Sequence, residues 1–304
     1  MEKHYRRNSE ETLSVLMAVY NQDQADYLNR ALQSVWDDQT LRPDQIVLVE
    51  DGPLNTTLEH VISQWKVVLG DRLCLCKNEK NEGLTKCLNI GLRHVNTTFV
   101  ARMDSDDISA PCRFEQQMCY LREHPEIDIV GGSIQEFNSD CACLHIRHYP
   151  LTHDSVVRYL PRASPLSHPA VMMRMRIFRE GLSYNEKFPT SQDIALWFDA
   201  VTKGFRIGNI DEVVIYYRRE NAFYKRRSRA KARNECVIYL RGIYRLKGIF
   251  TLSYIYPLAR FCFRLLPLGL VKAIYDGRIR DLVLNIKSRE RVITGIPTGM
   301  EKTI

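Results

Sequence analysis

The sequence predicts an α/β fold in which a mostly parallel sheet is flanked by helices and followed by a basic helical extension. Apolar runs of strand length alternate with segments whose apolar residues recur every three or four positions, which is the pattern of repeated strand–helix–strand units. Two of these runs end directly in acidic clusters, at 50–51 and 104–107. The composition also changes near residue 218, because residues 1–217 hold 23 Lys and Arg against 30 Asp and Glu, whereas residues 218–304 hold 20 against 6. Two regions with different tasks are therefore expected.

The elements of the first region follow from short apolar runs and one-sided helical stripes. Turn-forming Asn, Asp, Gly or Pro residues separate the elements, and each predicted helix carries one apolar stripe, as at Leu28, Leu32 and Val35. The predicted strands are 13–19, 46–49, 72–76 and 99–103, and the predicted helices are 25–36, 56–68 and 84–92. Ligands of such sheets bind beyond the carboxyl ends of the strands, so the acidic clusters mark the expected site.

Several functional classes are disfavoured by what the sequence lacks. It contains no G-x-G-x-x-G and no G-x-x-x-x-G-K-[ST] motif, which weakens dinucleotide-binding and P-loop assignments. Its first residues are polar and its apolar runs are interrupted by charges and prolines, so neither a secretory signal nor a standard transmembrane helix is expected. The odd number of nine cysteines argues against a disulfide scaffold and for a reducing compartment. The C-x-C pairs at 74–76 and 141–143 are interpreted as buried thiols.

The second acidic cluster has the composition of a site for a hard divalent cation. Several carboxylates at one strand end repel one another unless a cation or hydrogen-bond donors lie nearby. Such a cation takes oxygen ligands, commonly one or two carboxylates together with water and substrate phosphates, so Asp104-x-Asp106 suits a nucleoside diphosphate. The alternative is that 104–107 only closes the turn before Pro111, as Asp residues often do. The position after a fully apolar strand, with a second acidic strand end upstream, favours the cation site.

An ordered set of motifs carries a family resemblance. The motifs are Ala18-Val-Tyr-Asn21, Val49-Glu-Asp-Gly-Pro53, Asn81-Glu-Gly-Leu84, Ala101-Arg-Met-Asp-Ser-Asp-Asp107, Pro111-x-Arg113-Phe114-x-x-Gln117, Gly131-Gly132, His168-Pro-x-Val-Met172 and Ser191-Gln-Asp-Ile-Ala-Leu-Trp197. Together they resemble the family 2 glycosyltransferases, whose fold is termed GT-A, over roughly residues 12–220. Within that family the chain is most similar to bacterial enzymes of O-antigen and exopolysaccharide assembly, of the amylovoran-biosynthesis type.

The resemblance implies a role for each motif. The nucleotide-sugar pocket would be lined by Ala18, Tyr20, Asn21, Glu50, Asp51, Arg102, Asp104 and Ser105. Asp106, together with Asp104, would hold Mn²⁺ or Mg²⁺ on the diphosphate, and Asp193 would be the general base. The candidates for the acceptor site are Trp197, His168, Gln192 and Asp107. The chain departs from the family pattern at Ala18, where Pro is usual, and at Gln192, where Glu is usual.

Residue chemistry alone leaves alternatives open for three of these side chains. Asp193 in the first turn of a helix would also complement the helix dipole. Trp197 would serve equally as an apolar anchor of that helix, and a lone His168 is more often a hydrogen-bonded structural residue. The resemblance favours catalysis for Asp193 and leaves the other two as candidates.

The resemblance also predicts the domain organisation. A GT-A catalytic domain is expected at 12–220, with a nucleotide-binding half at 12–107 and an acceptor-binding half at 108–220, followed by a C-terminal region at 221–304. That region combines a cationic run at 224–233 with apolar helical stretches from 237 to 274, which is typical of amphipathic helices at an anionic membrane surface. A helical extension packed on the catalytic domain is the alternative. Nucleic-acid binding is not expected, because no motif of that class accompanies the charge.

The expected function is an inverting transfer of a hexose, glucose or galactose, from a UDP-sugar to a polyprenyl-diphosphate-linked GlcNAc acceptor. A β linkage is expected, within O-antigen or other surface-polysaccharide assembly, and the expected location is peripheral, on the cytoplasmic face of the bacterial inner membrane. A sugar-phosphate nucleotidyltransferase is the alternative enzyme class, although residues 19–22 are not the Gly-rich basic loop that it would need. A polyanion-binding protein is the non-enzymatic alternative.

Overall fold

The structure is a computed structural model that describes residues 11–138, 143–219 and 229–265. In these residues nine strands form one sheet. The strands are β1 (Leu13–Val19), β2 (Gln45–Glu50), β3 (Leu73–Lys77), β4 (Phe99–Met103), β5 (Ile108–Ser109), β6 (Ile129–Phe137), β7 (Cys143–Arg147), β8 (Met172–Arg174) and β9 (Ile207–Arg218). The helices are α1 (Ala25–Trp36), α2 (Thr56–Leu69), α3 (Leu84–Leu92), α4 (Arg113–Glu123), α5 (His153–Tyr159), α6 (Arg176–Arg179), α7 (Gln192–Thr202), α8 (Arg229–Lys247) and α9 (Ile255–Leu265).

The strand–helix alternation predicted for the first region is confirmed. All seven predicted elements are present, with bounds within one residue of those expected. β3, β2, β1 and β4 are neighbours in that order, and all three pairings are parallel. The α/β class is therefore confirmed.

The second part of the sheet mixes strand directions. β8 pairs antiparallel with both β4 and β6, while β9 runs parallel to β6. β5 and β7 are antiparallel additions on β9 and β6. The sheet is thus continuous, and its parallel part carries the acidic strand ends.

The register of the parallel strands brings those ends together. Val19 lies opposite Glu50, and Met17 lies opposite Met103. The turn after β2 needs a glycine, because Gly52 has a φ of +88° and a Cβ there would lie 2.7 Å from the backbone nitrogen of Asn81. The loops after β1, β2 and β4 therefore meet at one edge of the sheet.

Helices pack on both faces of the sheet. Met17 and Leu16, adjacent in β1, belong to opposite apolar cores, the first with α1, α2 and α4 and the second with α3, α7 and α8. Helix α8 joins the second core through three side chains that are at most 3% exposed, Ile238, Tyr239 and Ile243. No helix among the described residues is both long and apolar enough to span a bilayer.

Part of the predicted C-terminal region falls outside the described residues, namely 221–228 and 266–304. This includes the first half of the cationic run at 224–233. The described part consists of α8, a turn and α9.

Candidate active site

Three carboxylates meet where β4 ends. One oxygen each from Asp104, Asp106 and Asp107 can be chosen so that all three lie within 4.8 Å of one another. The chain turns sharply here, since β5 begins at Ile108 and pairs with β9 instead of continuing β4. The strand-end rule thus located this group correctly, and the spacing allows all three carboxylates to face one cation.

A fourth carboxylate, Asp23, joins this group, although the sequence analysis did not select it. Asp23 lies in the loop after β1, where its side chain accepts hydrogen bonds from the Tyr20 nitrogen at 3.1 Å and from Ser105 Oγ at 2.8 Å. Burial raises the pKa of Asp23, and the charge of Asp104 adds to the rise. The available signal was its position after a third parallel strand, whose carboxyl end must face the same edge.

The site holds more negative charge than its buried cations neutralise. Burial, together with the charges of Asp104 and Asp23, raises the pKa of Asp106 to about 6. Burial, together with the charges of Asp104 and Asp106, raises the pKa of Asp107 well above its usual value. In addition, Asp107 Oδ2 is buried and has no hydrogen-bond partner among the described residues. A hard divalent cation would satisfy that oxygen and lower these pKa values, so the residues present fit such an ion.

Arg102 is the buried cation beneath the acidic group. Its side chain is 2% exposed and forms an ion pair with Asp104, while Nε and Nη1 lack partners among the described residues. Its carbonyl oxygen accepts a hydrogen bond from Arg113 Nη2 at 2.8 Å. Burial and the charge of Arg102 lower the pKa of Arg113 to about 9. Arg113 of the Pro-x-Arg-Phe motif therefore hydrogen-bonds to the backbone of β4 directly before the acidic group.

Arg218, at the end of β9, donates hydrogen bonds to Asp106 and Asp107 of the acidic loop. Its backbone nitrogen donates to Asp107 Oδ1 at 2.8 Å, and its Nε donates to the Asp106 carbonyl oxygen at 2.9 Å. The guanidinium lies over the Tyr27 ring, 3.8 Å from its centroid. The sequence analysis did not select Arg218, because nothing in its local pattern shows which distant loop it meets.

Glu50 and Asp51 lie at the end of β2, where the resemblance places the nucleotide. Both oxygens of Asp51 accept backbone hydrogen bonds, from Glu82 at 2.7 Å and from Gly83 at 3.0 Å. Glu50 pairs with Lys77 at 3.0 Å, and its other carboxylate oxygen has no partner in the described part of the chain. Asp51 thereby joins the β2 end to the Asn-Glu-Gly turn, and its contact with a nucleotide stays a prediction.

The remaining residues of the predicted nucleotide pocket follow β1. Tyr20 is 40% exposed, Asn21 is exposed and Ala18 is partly buried. The Asn21 carbonyl oxygen accepts a hydrogen bond from Asn55 Nδ2 at 2.9 Å, which ties this loop to the start of α2. The structure therefore places these side chains at the expected edge of the sheet.

Asp193 lies in the first turn of α7, as predicted. Ser191 precedes the helix in a left-handed conformation with a φ of 60° and does not cap it through its side chain. Asp193 is partly buried, and this burial raises its pKa while the charge of Arg102 acts in the opposite direction. A raised pKa makes a carboxylate a stronger proton acceptor, but the role of Asp193 as general base stays a prediction.

The acceptor-site candidates beside Asp193 are mostly buried. Trp197 is fully buried, and its ring packs edge-on against His168 with 6.1 Å between centroids. His168 Nε2 shares a hydrogen bond of 2.8 Å with the Tyr184 hydroxyl. Burial and the charge of Arg102 lower the pKa of His168 well below its usual value, so the ring is neutral near pH 7. Gln192 is 8% exposed, and an acceptor role for any of these three side chains is untested.

A second group of possible metal ligands lies away from the acidic edge. Cys74 and Cys76 on β3 and His94, in the loop after α3, have ligand atoms that lie within 4.8 Å of one another. Cys76 is buried and Cys74 is partly buried, as expected for thiols on alternate strand positions. Burial raises the pKa of Cys76 to about 12, which disfavours the thiolate that a metal needs. The other C-x-C pair, at 141–143, lies outside the side chains that the structure describes.

Comparison with known proteins gives a consistent set of similarities. The family model "Glycosyl transferase family 2" matches residues 14–182. The chain is 32% identical to an uncharacterized glycosyltransferase of Haemophilus influenzae, over 88% of this chain and 98% of that protein. It is 31% identical to the amylovoran biosynthesis glycosyltransferase AmsE of Erwinia amylovora, over 86% and 97% of the two chains. It is also 31% identical to an Escherichia coli UDP-Gal:alpha-D-GlcNAc-diphosphoundecaprenol beta-1,3-galactosyltransferase, over 88% and 96%.

Solved structures show the same fold. The structure of S. aureus TarS 1-349 in complex with UDP-GlcNAc matches with a TM-score of 0.61 at 18% identity, over 91% of this chain and 76% of that one. The mannosyltransferase PcManGT from Pyrobaculum calidifontis, in complex with GDP-Man and Mn²⁺, matches with a TM-score of 0.60 at 14% identity, over 90% and 81%. At these identities the likeness shows the architecture alone, and it confirms the GT-A-type fold that the motifs predicted.

Proposed function

Because the chain belongs to glycosyl transferase family 2 and is therefore a glycosyltransferase, we propose that it transfers a hexose from a UDP-sugar to a polyprenyl-diphosphate-linked GlcNAc acceptor. Galactose and glucose are the proposed hexoses, and the product is a β-linked saccharide in the assembly of O-antigen or another surface polysaccharide. The similarity to the E. coli galactosyltransferase supports both the donor class and the acceptor class. The observation that carries the proposal is the uncompensated acidic group at the carboxyl edge of β1, β2 and β4.

The acidic group is suited to the departing diphosphate. Asp106, with Asp104, would hold Mn²⁺ or Mg²⁺, and Asp107 offers an unpartnered oxygen toward the same ion. The bound ion would supply Lewis-acid neutralisation of charge on the leaving UDP. The protein itself fixes the loop through Arg102 and Arg218, so that the carboxylates are in place before the donor arrives.

The reaction needs one proton acceptor. The acceptor hydroxyl oxygen would attack the anomeric carbon of the hexose as the bond from that carbon to the UDP oxygen breaks. The hydroxyl proton would pass to Asp193, and UDP would leave with the bonding electrons. A single displacement of this kind inverts the anomeric configuration, and its only proton transfer is from the nucleophile. The raised pKa of Asp193 supports this assignment.

Transfer assays test the proposal directly. Radiolabelled UDP-galactose, UDP-glucose and UDP-GlcNAc would be offered with a short-chain GlcNAc-diphospho-lipid, in Mn²⁺, in Mg²⁺ and in excess EDTA. We expect label in the lipid product with one UDP-hexose, activity only with a divalent cation, and no product from Asp106→Ala. Asp211→Ala, which replaces an exposed carboxylate paired with His148, is the matched control. Full activity in EDTA would contradict the metal assignment, and absence of transfer from every UDP-sugar would contradict the donor class.

A peripheral location on the cytoplasmic face of the bacterial inner membrane is part of the proposal. A lipid-linked acceptor confines the reaction to a membrane surface, and the cations of residues 218–304 suit anionic headgroups.

A further inference from the structure

Helix α9 pairs both of its arginines with α8 and exposes much of its apolar surface, although Pro257 is buried. Arg260 Nη1 lies 3.1 Å from a carboxylate oxygen of Glu235 on α8, and Arg264 pairs with the other oxygen of the same carboxylate. The exposed positions of α9 recur at helical spacing and are uncharged, namely Ile255, Tyr256, Leu258, Ala259, Cys262 and Leu265. This arrangement is the reverse of an ordinary surface helix, whose apolar stripe faces the core.

The apolar surface continues into the turn between α8 and α9. Phe250 is 98% exposed, Leu252 is 81% exposed and Ile249 is 66% exposed. Of the fourteen large apolar side chains exposed in the described residues, nine fall between Val237 and Leu265. We call Ile249, Phe250, Leu252, Ile255, Leu258 and Leu265 the docking face. Isolated exposed apolar residues are normal, but a contiguous cluster of this kind marks an interaction surface.

The charges around the docking face identify what covers it. Residues 229–265 contain eight Lys and Arg residues and a single acidic one, Glu235, which is buried and already paired with two arginines. The exposed charges of this segment are therefore all positive. A second copy of the same surface would bring these cations together, and residues 266–304 are themselves basic, with seven Lys and Arg against four Asp and Glu. An anionic lipid surface complements both the cations and the apolar face.

The segment that carries the docking face is attached firmly to the catalytic domain. A Cβ on Gly242 of α8 would lie 2.3 Å from the Phe198 ring of α7, so the two helices are in close contact. Arg260 also donates to the Arg162 carbonyl oxygen, and the Arg162 guanidinium lies over the Tyr256 ring at 5.3 Å. Since α7 begins beside Asp193, a surface bound by α8 and α9 holds the acceptor side of the site in a fixed orientation.

We propose that the docking face inserts into the headgroup–acyl boundary of an anionic bilayer while the exposed cations of α8 contact the headgroups. The proposal rests on the proposed function in one respect, since a lipid-linked acceptor requires the enzyme to work at a membrane. It adds the segment that inserts, the side chains that enter the lipid and the connection to α7.

Vesicle flotation of the full-length protein tests the insertion. The probes are vesicles of phosphatidylglycerol with phosphatidylcholine and vesicles of phosphatidylcholine alone. The test variant is the triple substitution Phe250→Ser, Leu252→Ser and Leu258→Ser. The matched control is Val67→Ser with Val68→Ser, because these two side chains of α2 are 86% and 59% exposed and lie outside the docking face.

The expected result is strong binding of the wild-type protein to anionic vesicles and weak binding to neutral ones. The partition coefficient of the triple variant onto anionic vesicles should be about tenfold or more below that of the wild type, and that of the control should be unchanged. Both variants should melt near the wild-type temperature because only exposed side chains change. Equal partitioning of the triple variant and the control would overturn the proposal. So would a wild-type protein that does not bind anionic vesicles at low salt. A wild-type dimer that the triple substitution converts to a monomer would show that a second copy covers the face and would also overturn it.

A separate readout distinguishes this inference from the proposed function. Transfer to a short-chain acceptor in detergent-free solution should be unchanged in the triple variant. Loss of vesicle binding with intact transfer supports the inference, whereas vesicle binding that depends on the docking face in a protein inactive with every UDP-sugar would refute the proposed function and leave the inference standing.

Discussion

Asp193 lies at the start of α7, and its pKa responds to the charge of Arg102, so its carboxylate could serve either the helix dipole or proton transfer. Asp193→Asn keeps the size of the side chain and removes its ability to accept a proton. We expect transfer to fall by about 10²-fold or more if Asp193 is the base, with UDP binding and melting temperature nearly unchanged. Turnover, UDP affinity and thermal unfolding are to be measured for the same variant.

A control on the same helix is available. Asp199→Asn removes a carboxylate that pairs with Arg245, so it reports the cost of losing an α7 charge without altering the site. If Asp193→Asn lowers stability by about 0.3–1 kcal/mol, the range of a dipole interaction, and leaves turnover intact, Asp193 is structural.

The raised pKa values of the acidic loop predict that cation binding releases protons. Asp106 has a pKa of about 6 and that of Asp107 is well above its usual value. Both carboxyl groups hold protons more tightly in the metal-free protein, and a divalent ion requires them ionised. Affinity for Mn²⁺ should therefore fall as the pH is lowered through about 6 and below.

Titration calorimetry measures this release. Near pH 6.5, protons released on Mn²⁺ binding would be taken up by the buffer, and the heat of that uptake would be part of the measured enthalpy. The apparent binding enthalpy should therefore differ between two buffers with different ionisation enthalpies. Asp107→Asn should reduce the difference. An enthalpy that is the same in both buffers would contradict the linked deprotonation.

The sequence was sufficient to predict some of these residues and not others. Asp104, Asp106 and Asp107 directly follow a strand whose direction and burial are apparent from its composition, so the strand-end rule applies to them. Arg218 meets Asp107 across 111 residues of sequence, and that contact depends on the pairing of β5 with β9. Local sequence patterns do not show which distant strands pair, so Arg218 could not be identified from the sequence.

The contact between α7 and α8 predicts a specific steric effect at the level of elements. Gly242 faces the Phe198 ring, and an added Cβ would lie 2.3 Å from it. Gly242→Ala should therefore destabilise the protein by about 1–3 kcal/mol, the usual cost of overpacking, even though alanine is the better helix former.

Urea unfolding of a double-mutant cycle tests this. Phe198→Ala removes the ring atoms that would clash, so Gly242→Ala should cost less in that background. Val237→Ala on the exposed side of α8 is the control. Additive effects of the two substitutions would mean that the helices are not in close contact here.

The elements themselves were predictable in proportion to how local their stabilisation is. The strands and helices of residues 13–103 each form from one continuous pattern, and all were predicted, although the pairing of β1 with β4 joins strands that β2 and β3 separate in the chain. The sequence analysis expected apolar helical stretches from 237 to 274, and within the described residues these are α8, which ends at Lys247, and α9, which begins at Ile255 after an interruption. Gly248, with a φ of +73°, permits that interruption, and the exposure of the apolar face of α9 could not be read from its periodicity.

At the scale of the whole molecule, the change of charge near residue 218 does not coincide with the edge of a core. The sequence predicts a division at 220, and the basic side does begin there, but α8 also supplies Ile238, Tyr239 and Ile243 to the core that contains Trp197 and Phe198. Burial of each such side chain stabilises the fold by roughly 1.5–3 kcal/mol. Three of them together contribute about 5–9 kcal/mol by that estimate, which is comparable to the net stability of a typical domain.

A chain that ends at Arg219 is therefore expected to lack stable folding. Truncation after Arg219 removes α8 and would expose Trp197, which is fully buried, and Phe198, which is 2% exposed. We expect no cooperative thermal transition and strong binding of a hydrophobic dye, whereas the full-length protein should unfold cooperatively. Ile243→Ala, in the full chain, isolates one part of the effect and should cost about 2–5 kcal/mol. Val237→Ala, at an exposed position two residues before Tyr239, should change stability little. A truncated chain that melts within a few degrees of the full-length protein would show instead that residues 12–220 fold independently, and the basic region would then be a separable attachment to the membrane and no part of the catalytic core.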